Sequence, residues 1–527
     1  MGYDMIAYRK IRWITFAFCL FAIIGTTLYS SWKEQQYCMG VPFISDNALA
    51  EYKGYCYQDL SENLLFNEEK APIDVNAATI YISQDIKERS KPWNLDGFLT
   101  ISDNDWELYF LDDPAFGDLE TAMKNNHTFT LIVANKTQTY MRYNVVFTTL
   151  PVMRLEGEYE YTNEEYRDVI SGEICLWSPN DPELGVSSVK AGNAQWHLRG
   201  RSAQLMPKLC WKISLQDSNG DKRNETFLGL GSDDDWILNA MSRDHTKLKE
   251  QLFMKLWNEL ASQTDWNLNM SKGEYVEVVI NGSYCGLYLL QRRVDEKYLE
   301  LNQEDILLKG KVVTNDLPTL EECYEIQSTP YDAATTYSIA EDLLAGESVR
   351  VHLNNYVDVN LFLRFFGAHD NLLYTNMYFA LLKEYDEYQV YLIPWDTDLS
   401  FGTYFTEEGT NYYALRDNVL LQDEEIVHLA LDSFYRREHA AMLNRFPDLN
   451  SILASRWKEL RESVLALEHI RTYIRQIKSE FVDCSAFARD QIRWGEFYSG
   501  TDTWDALNQN IEELLLLLDT YYAGNAA

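Results

Sequence analysis

Two short stretches of this sequence carry the residue types that phosphoryl chemistry needs. The first, G-A-H-D-N-L-L-Y-T-N-M-Y-F from Gly367, places Asp370 and Asn376 on either side of a short loop. The second, Y-L-I-P-W-D-T-D-L-S-F-G ending at Gly402, places Asp396 and Asp398 directly after a β-type run over 388–393. Phosphoryl transfer asks little covalent help of a protein: it needs Mg²⁺ held against the phosphates and a carboxylate facing the incoming hydroxyl. A loop Asp and Asn, followed by an Asp at the end of the next hairpin, supply both kinds of group. Carboxylates at i and i+2 also suit Mg²⁺, which takes one or two of them beside phosphate oxygens and water. Each piece has a plainer reading as well. Asp and Asn recur in Asx-type turns for backbone hydrogen bonding alone. Asp396 and Asp398 would fit an exposed acidic turn, although Trp395 and Phe401 beside them speak against a purely solvated one.

A third segment, L-R-G-R-S-A-Q-L-M-P-K-L-C-W-K, gathers Arg199, Arg201, Lys208 and Lys212 in an otherwise acidic chain. Gly200 permits close backbone approach, Ser202 offers a hydroxyl and an N–H, and Lys208 or Lys212 can neutralise phosphate charge. The segment has neither the G-x-G-x-x-G nor the Walker A pattern, and a basic strand facing acidic neighbours is the alternative. The sequence has no G-x-S-x-G elbow and no H-E-x-x-H, and its eight histidines do not fall at zinc-ligand spacings.

The elements that must position these residues follow from periodicity. The apolar positions Val357, Leu361, Leu363, Phe365 and Phe366 predict a helix over 354–367 that runs into the Asp370 loop. The segment 234–260 reads as helical from Trp236, Leu238, Met241, Leu248, Leu252, Leu256 and Leu260. Asn281-Gly282 between apolar runs predicts a tight hairpin. Five short alternating or apolar runs between 72 and 156 predict a small all-β, sandwich-like module. Beyond 423 the chain reads as nearly all helix, and its leucine run, Leu514 to Leu518, is a core-packing face.

At 527 residues, with 46% hydrophobic and 14% aromatic content, the chain is long enough for two or three folded domains. Its 46 basic against 81 acidic residues give a net charge of −35, which excludes nucleic acid as a partner and favours basic ones. Arg9, Lys10 and Arg12 precede an apolar run over 13–29, the pattern of an uncleaved single-pass signal anchor that leaves the rest of the chain outside the cytoplasm. In an oxidising space Cys38 and Cys56 are close enough in sequence to pair.

Taken together, R-G-R-S-A-Q-L-M-P-K, L-G-L-G-S-D-D-D-W-I-L-N-A-M, V-V-I-N-G-S-Y-C-G-L-Y-L-L, D-N-L-L-Y-T-N-M-Y, I-P-W-D-T-D-L-S-F-G, R-W-K-E-L-R and A-R-D-Q-I-R-W resemble, in order, the CotH (spore coat protein H) family of atypical protein kinases. The resemblance implies a kinase-like α+β domain with a helical C-terminal half, ATP and Mg²⁺ as ligands, and transfer of the γ-phosphate to protein Ser/Thr. It implies Asp370 as the catalytic-loop Asp and Asn376 as the metal-side Asn. Asp396 then corresponds to the metal-holding Asp, with Asp398 as the second choice. Lys208 is implied as the phosphate-pairing lysine, with Lys212 next, and Arg199 and Ser202 lie in the phosphate-side loop. Two departures stand out. Asn376 is six residues after Asp370, one more than in ordinary kinases, whereas Asn371 keeps the five-residue spacing. Gln291 and Arg292 stand where relatives carry a Glu, which leaves Glu250 and Glu259 as candidate partners for the lysine.

The expected organisation is a cytoplasmic tip and anchor over 1–35, a stalk over 36–70, the β module over 71–155, the CotH kinase-like domain over 156–505 and an apolar helix over 506–527. The function expected of it is that of a membrane-anchored, extracytoplasmic kinase acting on basic, Ser/Thr-bearing proteins. The alternative is an inactive kinase-like surface scaffold that displays the β module.

Overall fold

The computed structural model describes residues 37–524 apart from 57, 86–94, 96, 137–138, 161–168, 201, 312–318, 345–349, 369–370, 372–375, 403–441, 443 and 499–501. Among the described residues no helix is long and apolar enough to cross a membrane, and the run over 13–29 lies outside them.

The all-β unit starts earlier than its periodicity suggests. Tyr37–Cys38 and Val41–Ile44 open an eight-stranded sheet that continues through Trp106–Leu111, Phe129–Asn135 and Thr139–Thr148. Gly54–Tyr55 and Thr79–Ser83 both run parallel to the last of these. Leu64–Phe66 sits between Glu69–Lys70 and Leu99–Ile101 in a separate three-stranded sheet. The stretch expected as a stalk, 36–70, therefore supplies strands to both sheets. Its apolar runs, V-P-F-I and L-L-F, are too short to show a period, yet Val41, Leu64 and Phe66 are buried.

Cys38 and Cys56 are both free. Cys38 lies on one edge strand, and Cys56 follows Gly54–Tyr55, five strand steps across the same sheet. At about 4.8 Å per strand that is roughly 24 Å, far beyond the ~7 Å reach of a disulfide.

A closed barrel follows, formed by β1 (Val152–Glu160), β2 (Val169–Ser178), β3 (Ser188–Leu198), β4 (Trp211–Gln216), β5 (Asp235–Asn239), β6 (Gly273–Ile280) and β7 (Ser283–Arg292) in the order 1-2-3-4-5-7-6. β6 closes it by running parallel to β1. Trp196, Ile213, Trp236, Leu238, Val276, Tyr288 and Leu290 fill the interior by period-two alternation. The β6–β7 turn is the expected one: Asn281 and Gly282 both have positive φ, 46° and 68°. The helix expected over 234–260 divides in two. D-W-I-L-N is a fully buried strand, and only α1 (Lys249–Ala261) is helical. Trp236 and Leu238, two apart, satisfy a strand as well as they satisfy a helix, and barrel closure decides between them.

The C-terminal part is a four-stranded sheet and a set of helices. β8 (Ile306–Gly310), β9 (Tyr324–Ser328), β10 (Met377–Glu384) and β11 (Glu387–Pro394) pair in the order 9-8-10-11. α2 (Leu353–Phe366) is buried along nearly its whole length and ends at Gly367, which is left-handed at φ 57°. The Asn355 side chain ties α2 to β11 through both its amide groups, to Leu392 O at 3.1 Å and from Leu392 N at 2.7 Å. α3 (Leu449–Arg461), α4 (Leu467–Val482), α5 (Ala486–Trp494) and α6 (Trp504–Gly524) complete the mixed α+β architecture. In α6, Leu514, Leu515 and Leu518 are buried, and Arg364 of α2 donates to Tyr522 at 3.1 Å.

Candidate active site

The β10–β11 hairpin brings the two acidic stretches together. Met377 pairs with Pro394, so the next pair outward is Asn376 and Trp395, and Trp395 N donates to Asn376 O at 2.9 Å. The Asn376 side chain reaches one residue further, its Nδ2 lying 3.4 Å from Asp396 O. Asn376, Asp396 and Phe401 have positive φ of 57°, 55° and 49°. Asn and Asp tolerate that conformation, but a phenylalanine there is strained. Phe401 is pinned by Phe366 O, which accepts from its N–H, and by Asn510 of α6, which donates to its carbonyl at 2.7 Å.

Asp370 and His369 lie outside the described residues. Their neighbour Asn371 is buried and clamps the hairpin mouth, with Nδ2 donating to both Asn376 O and Trp395 O at 2.8 Å. Its own Oδ1 is buried without a hydrogen-bond partner. Asn371→Asp keeps the shape and removes the donor, so Trp395 O loses its Asn371 partner and Asn376 O keeps only the Trp395 N–H. A loss of about 1–3 kcal/mol in chemical denaturation is expected, and a loss below that range would dismiss the clamp.

Glu250, on α1, reaches the same turn from the other side. Its Oε2 accepts from Thr397 N at 2.7 Å and from Thr397 Oγ1 at 2.9 Å, and Oε1 faces Gln291 Nε2 at 3.3 Å. Gln291 is thus the neutral donor that a Glu at that position could not be. Burial, helped by the charge of Asp396, pushes the Glu250 carboxyl up to about 7. A folded value raised above the unfolded one, 4.5, contributes stability below pH 4.5 that is lost as the pH rises through about 7. In Mg²⁺-free buffer, Glu250→Gln is therefore expected to melt close to the parent at pH 5 and above it at pH 8. The opposite order would mean that the carboxylate is stabilised as an anion.

The basic segment divides in two directions. Arg199 lies with its guanidinium 5.2 Å from the Trp395 ring centroid, one residue from Asp396. Lys212 pairs with Asp235 at 2.9 Å, on the barrel strand next to its own. Lys208 goes elsewhere. It is buried, pairs with Asp490 of α5 at 2.6 Å, donates to Leu287 O and lies 4.5 Å from the Tyr288 centroid. A phosphate-pairing lysine also keeps a carboxylate partner, so the Asp490 pair alone does not set Lys208 aside; what speaks against the implied role is that its ammonium is buried between Asp490, Leu287 O and the Tyr288 ring. Ser202 opens a single 3₁₀ turn, Ser202–Leu205. Asp398 follows Thr397 on the Asp396 turn, and the charges of Asp396 and Asp398 both reach the buried Cys210 beside Arg199.

Two cations were not singled out in the sequence. Lys309, on β8, lies 5.7 Å from the ring centroid of Tyr378, its cross-strand partner. Burial and Arg199 pull its ammonium below the ordinary lysine value, against Asp396 and Glu325. Arg293 donates to Gln327 at 3.0 Å and pairs with Asp235 at 3.5 Å. A lysine inside the apolar run I-L-L-K-G was the available signal.

Among the described residues no cluster of three or more His, Cys, Asp or Glu could hold a metal ion. The donor set at the hairpin mouth is oxygen only, two carboxylates and the Asn376 amide oxygen, which fits Mg²⁺ completed by phosphate and water and does not fit zinc. A family model described as CotH kinase protein matches residues 197–515, more than half of the chain. No curated protein matches it.

Proposed function

The chain belongs to the CotH kinase family, and from that premise we propose that it transfers the γ-phosphate of ATP to Ser or Thr hydroxyls of proteins. The observation that supports this most is the meeting of Asn376 with Asp396 at one hairpin mouth, held by Asn371 and Glu250. Asp396 and Asn376, with Asp398 beside them, would hold Mg²⁺. The ion, when bound, neutralises the β- and γ-phosphate oxygens. Arg199 would face the phosphates, and Lys212 and Ser202 are the further phosphate-side residues that the resemblance implies. Asp370 takes the proton of the attacking hydroxyl as its oxygen bonds to the γ-phosphorus, and ADP leaves.

The acidic surface favours basic substrates, at a net charge of −35. The basic-then-apolar N-terminus, Arg9 to 29, supports membrane anchoring with the site outside the cytoplasm.

A second reading has its own support: Lys208 is held by Asp490, and Gln291 rather than an ammonium faces Glu250. These fit a kinase-like scaffold without transfer activity. ATP labelled at the γ-phosphate, set against ATP labelled at the α-phosphate, decides between them on basic Ser/Thr proteins. Transfer of γ-label that Asp370→Ala abolishes supports the kinase. No label from either position, with the protein folded, supports the scaffold, and transfer of α-label means that a nucleotidyl group moves.

A further inference from the structure

We infer that Arg199 and Lys309, each seated on one ring of the Trp395–Tyr378 pair, form the polyphosphate-binding site of this protein, in the charge role that Lys208 does not fill. The inference rests on the nucleotide reading above and names the residues that meet the phosphates. The two rings touch edge to face, with centroids 6.0 Å apart, so the two cations share one aromatic platform. Trp395 immediately precedes Asp396, which sets the platform at the mouth where the phosphates would lie.

The charge pattern argues for an anionic ligand. The cations on the neighbouring barrel segments, Lys208, Lys212, Arg292, Arg293 and Lys297, are paired with carboxylates. Among the described residues Arg199 and Lys309 have no carboxylate within ion-pair distance; their side chains lie on rings instead. Ring faces hold a cation in place without neutralising it. A guanidinium beside an ammonium suits a chain of phosphates, which the fork binds in plane and the ammonium meets as a point charge. Arg293, already committed to Asp235 and Gln327, adds positive potential behind them. Burial also works against the charged form of Lys309, a cost that a bound anion would offset.

The test titrates folded protein with MgATP, adenosine and inorganic tripolyphosphate, in the parent and in Lys309→Met and Arg199→Met. Methionine keeps a long apolar stem on the ring, and melting temperatures check the fold of each variant. Each variant is expected to weaken MgATP and tripolyphosphate by at least about tenfold, the worth of one charge-assisted contact, and to leave adenosine unchanged. If the parent binds MgATP and both variants bind it as tightly, the site is wrong and the nucleotide reading survives. If the parent binds tripolyphosphate but not ATP, and the variants lose it, the anion site stands and the nucleotide reading falls. If the parent binds neither, both fall.

Discussion

Asp396→Asn is expected to eliminate Mg²⁺-dependent ATP binding and to lower phosphoryl transfer by roughly 10³-fold, while making the ligand-free protein more stable above pH 7. The first effect follows from charge. A metal held against phosphate supplies several kcal/mol of transition-state stabilisation, and about 1.4 kcal/mol corresponds to tenfold in rate. The amide keeps the side-chain shape and accepts the left-handed backbone at φ 55°, and the carbonyl facing Asn376 is untouched. The second effect follows from Glu250, whose carboxyl is pushed up to about 7 first by burial and then by Asp396. With that charge gone, the Glu250 value falls toward the ordinary 4.5, and the stability lost between pH 4.5 and 7 in the parent is partly restored. Melting curves at pH 8 with and without Mg²⁺ and ATP read both effects. The parent should gain stability from the ligands, whereas the variant should start higher and gain nothing. A variant that still gains as much as the parent would move the metal to Asp398, and Asp398→Asn would then show the loss.

The meeting of Asn376 with Asp396 was legible because local pairing sets it. The β10–β11 hairpin must bring Asn376 beside Trp395 and Asp396 once Met377 pairs with Pro394, and the spacing of the acidic residues carries that information. Partners supplied from far along the chain leave no such trace. Lys208 lies in a basic segment next to a glycine-containing loop, as a phosphate ligand would, yet its carboxylate is 282 residues away on α5. Glu250 belongs to a helix whose period was visible, but its target, Thr397, is 147 residues on. Strands of two to four residues, such as Tyr37–Cys38 and Leu64–Phe66, are too short to show alternation, so the 36–70 stretch reads as irregular until the sheets around it exist. Closure also decides D-W-I-L-N, whose apolar spacing is shared by helix and strand. Lys309 was hidden by the same effect: its meaning depends on Tyr378 opposite and on Arg199 across the site.

Asp490→Ala is expected to be the most destabilising single change outside the site. Asp490 is buried and serves four groups: Lys208 Nζ at 2.6 Å, Lys247 Nζ at 3.7 Å, Tyr498 OH at 2.8 Å and Leu287 N at 3.0 Å. Removing one carboxylate leaves the Lys208 ammonium buried without its paired carboxylate and Lys247 with only the charges of Asp244 and Asp502, and breaking a buried pair in this way costs about 3–5 kcal/mol. The space was made for that carboxylate, since a Cβ at Gly286 would lie 2.4 Å from Asp490 Oδ1. Gly286 is left-handed at φ 92°, so Gly286→Ala should mimic the loss in part. The pH dependence has a definite sign. Burial already lowers Lys247 to about 8, below its ordinary 10.5, so between those values the unfolded chain binds more protons and stability rises with pH. Without Asp490 the Lys247 value falls further and that rise begins at lower pH. Denaturant midpoints at pH 7 and 9 measure it, and a loss under about 1 kcal/mol at pH 7 would overturn the network. The double variant Lys208→Met with Asp490→Leu removes charge from both sides and should recover much of the loss. If it folds and binds MgATP as the parent does, Lys208 serves the fold. Weaker binding at full folding would return Lys208 to the phosphates and take that role from Lys309.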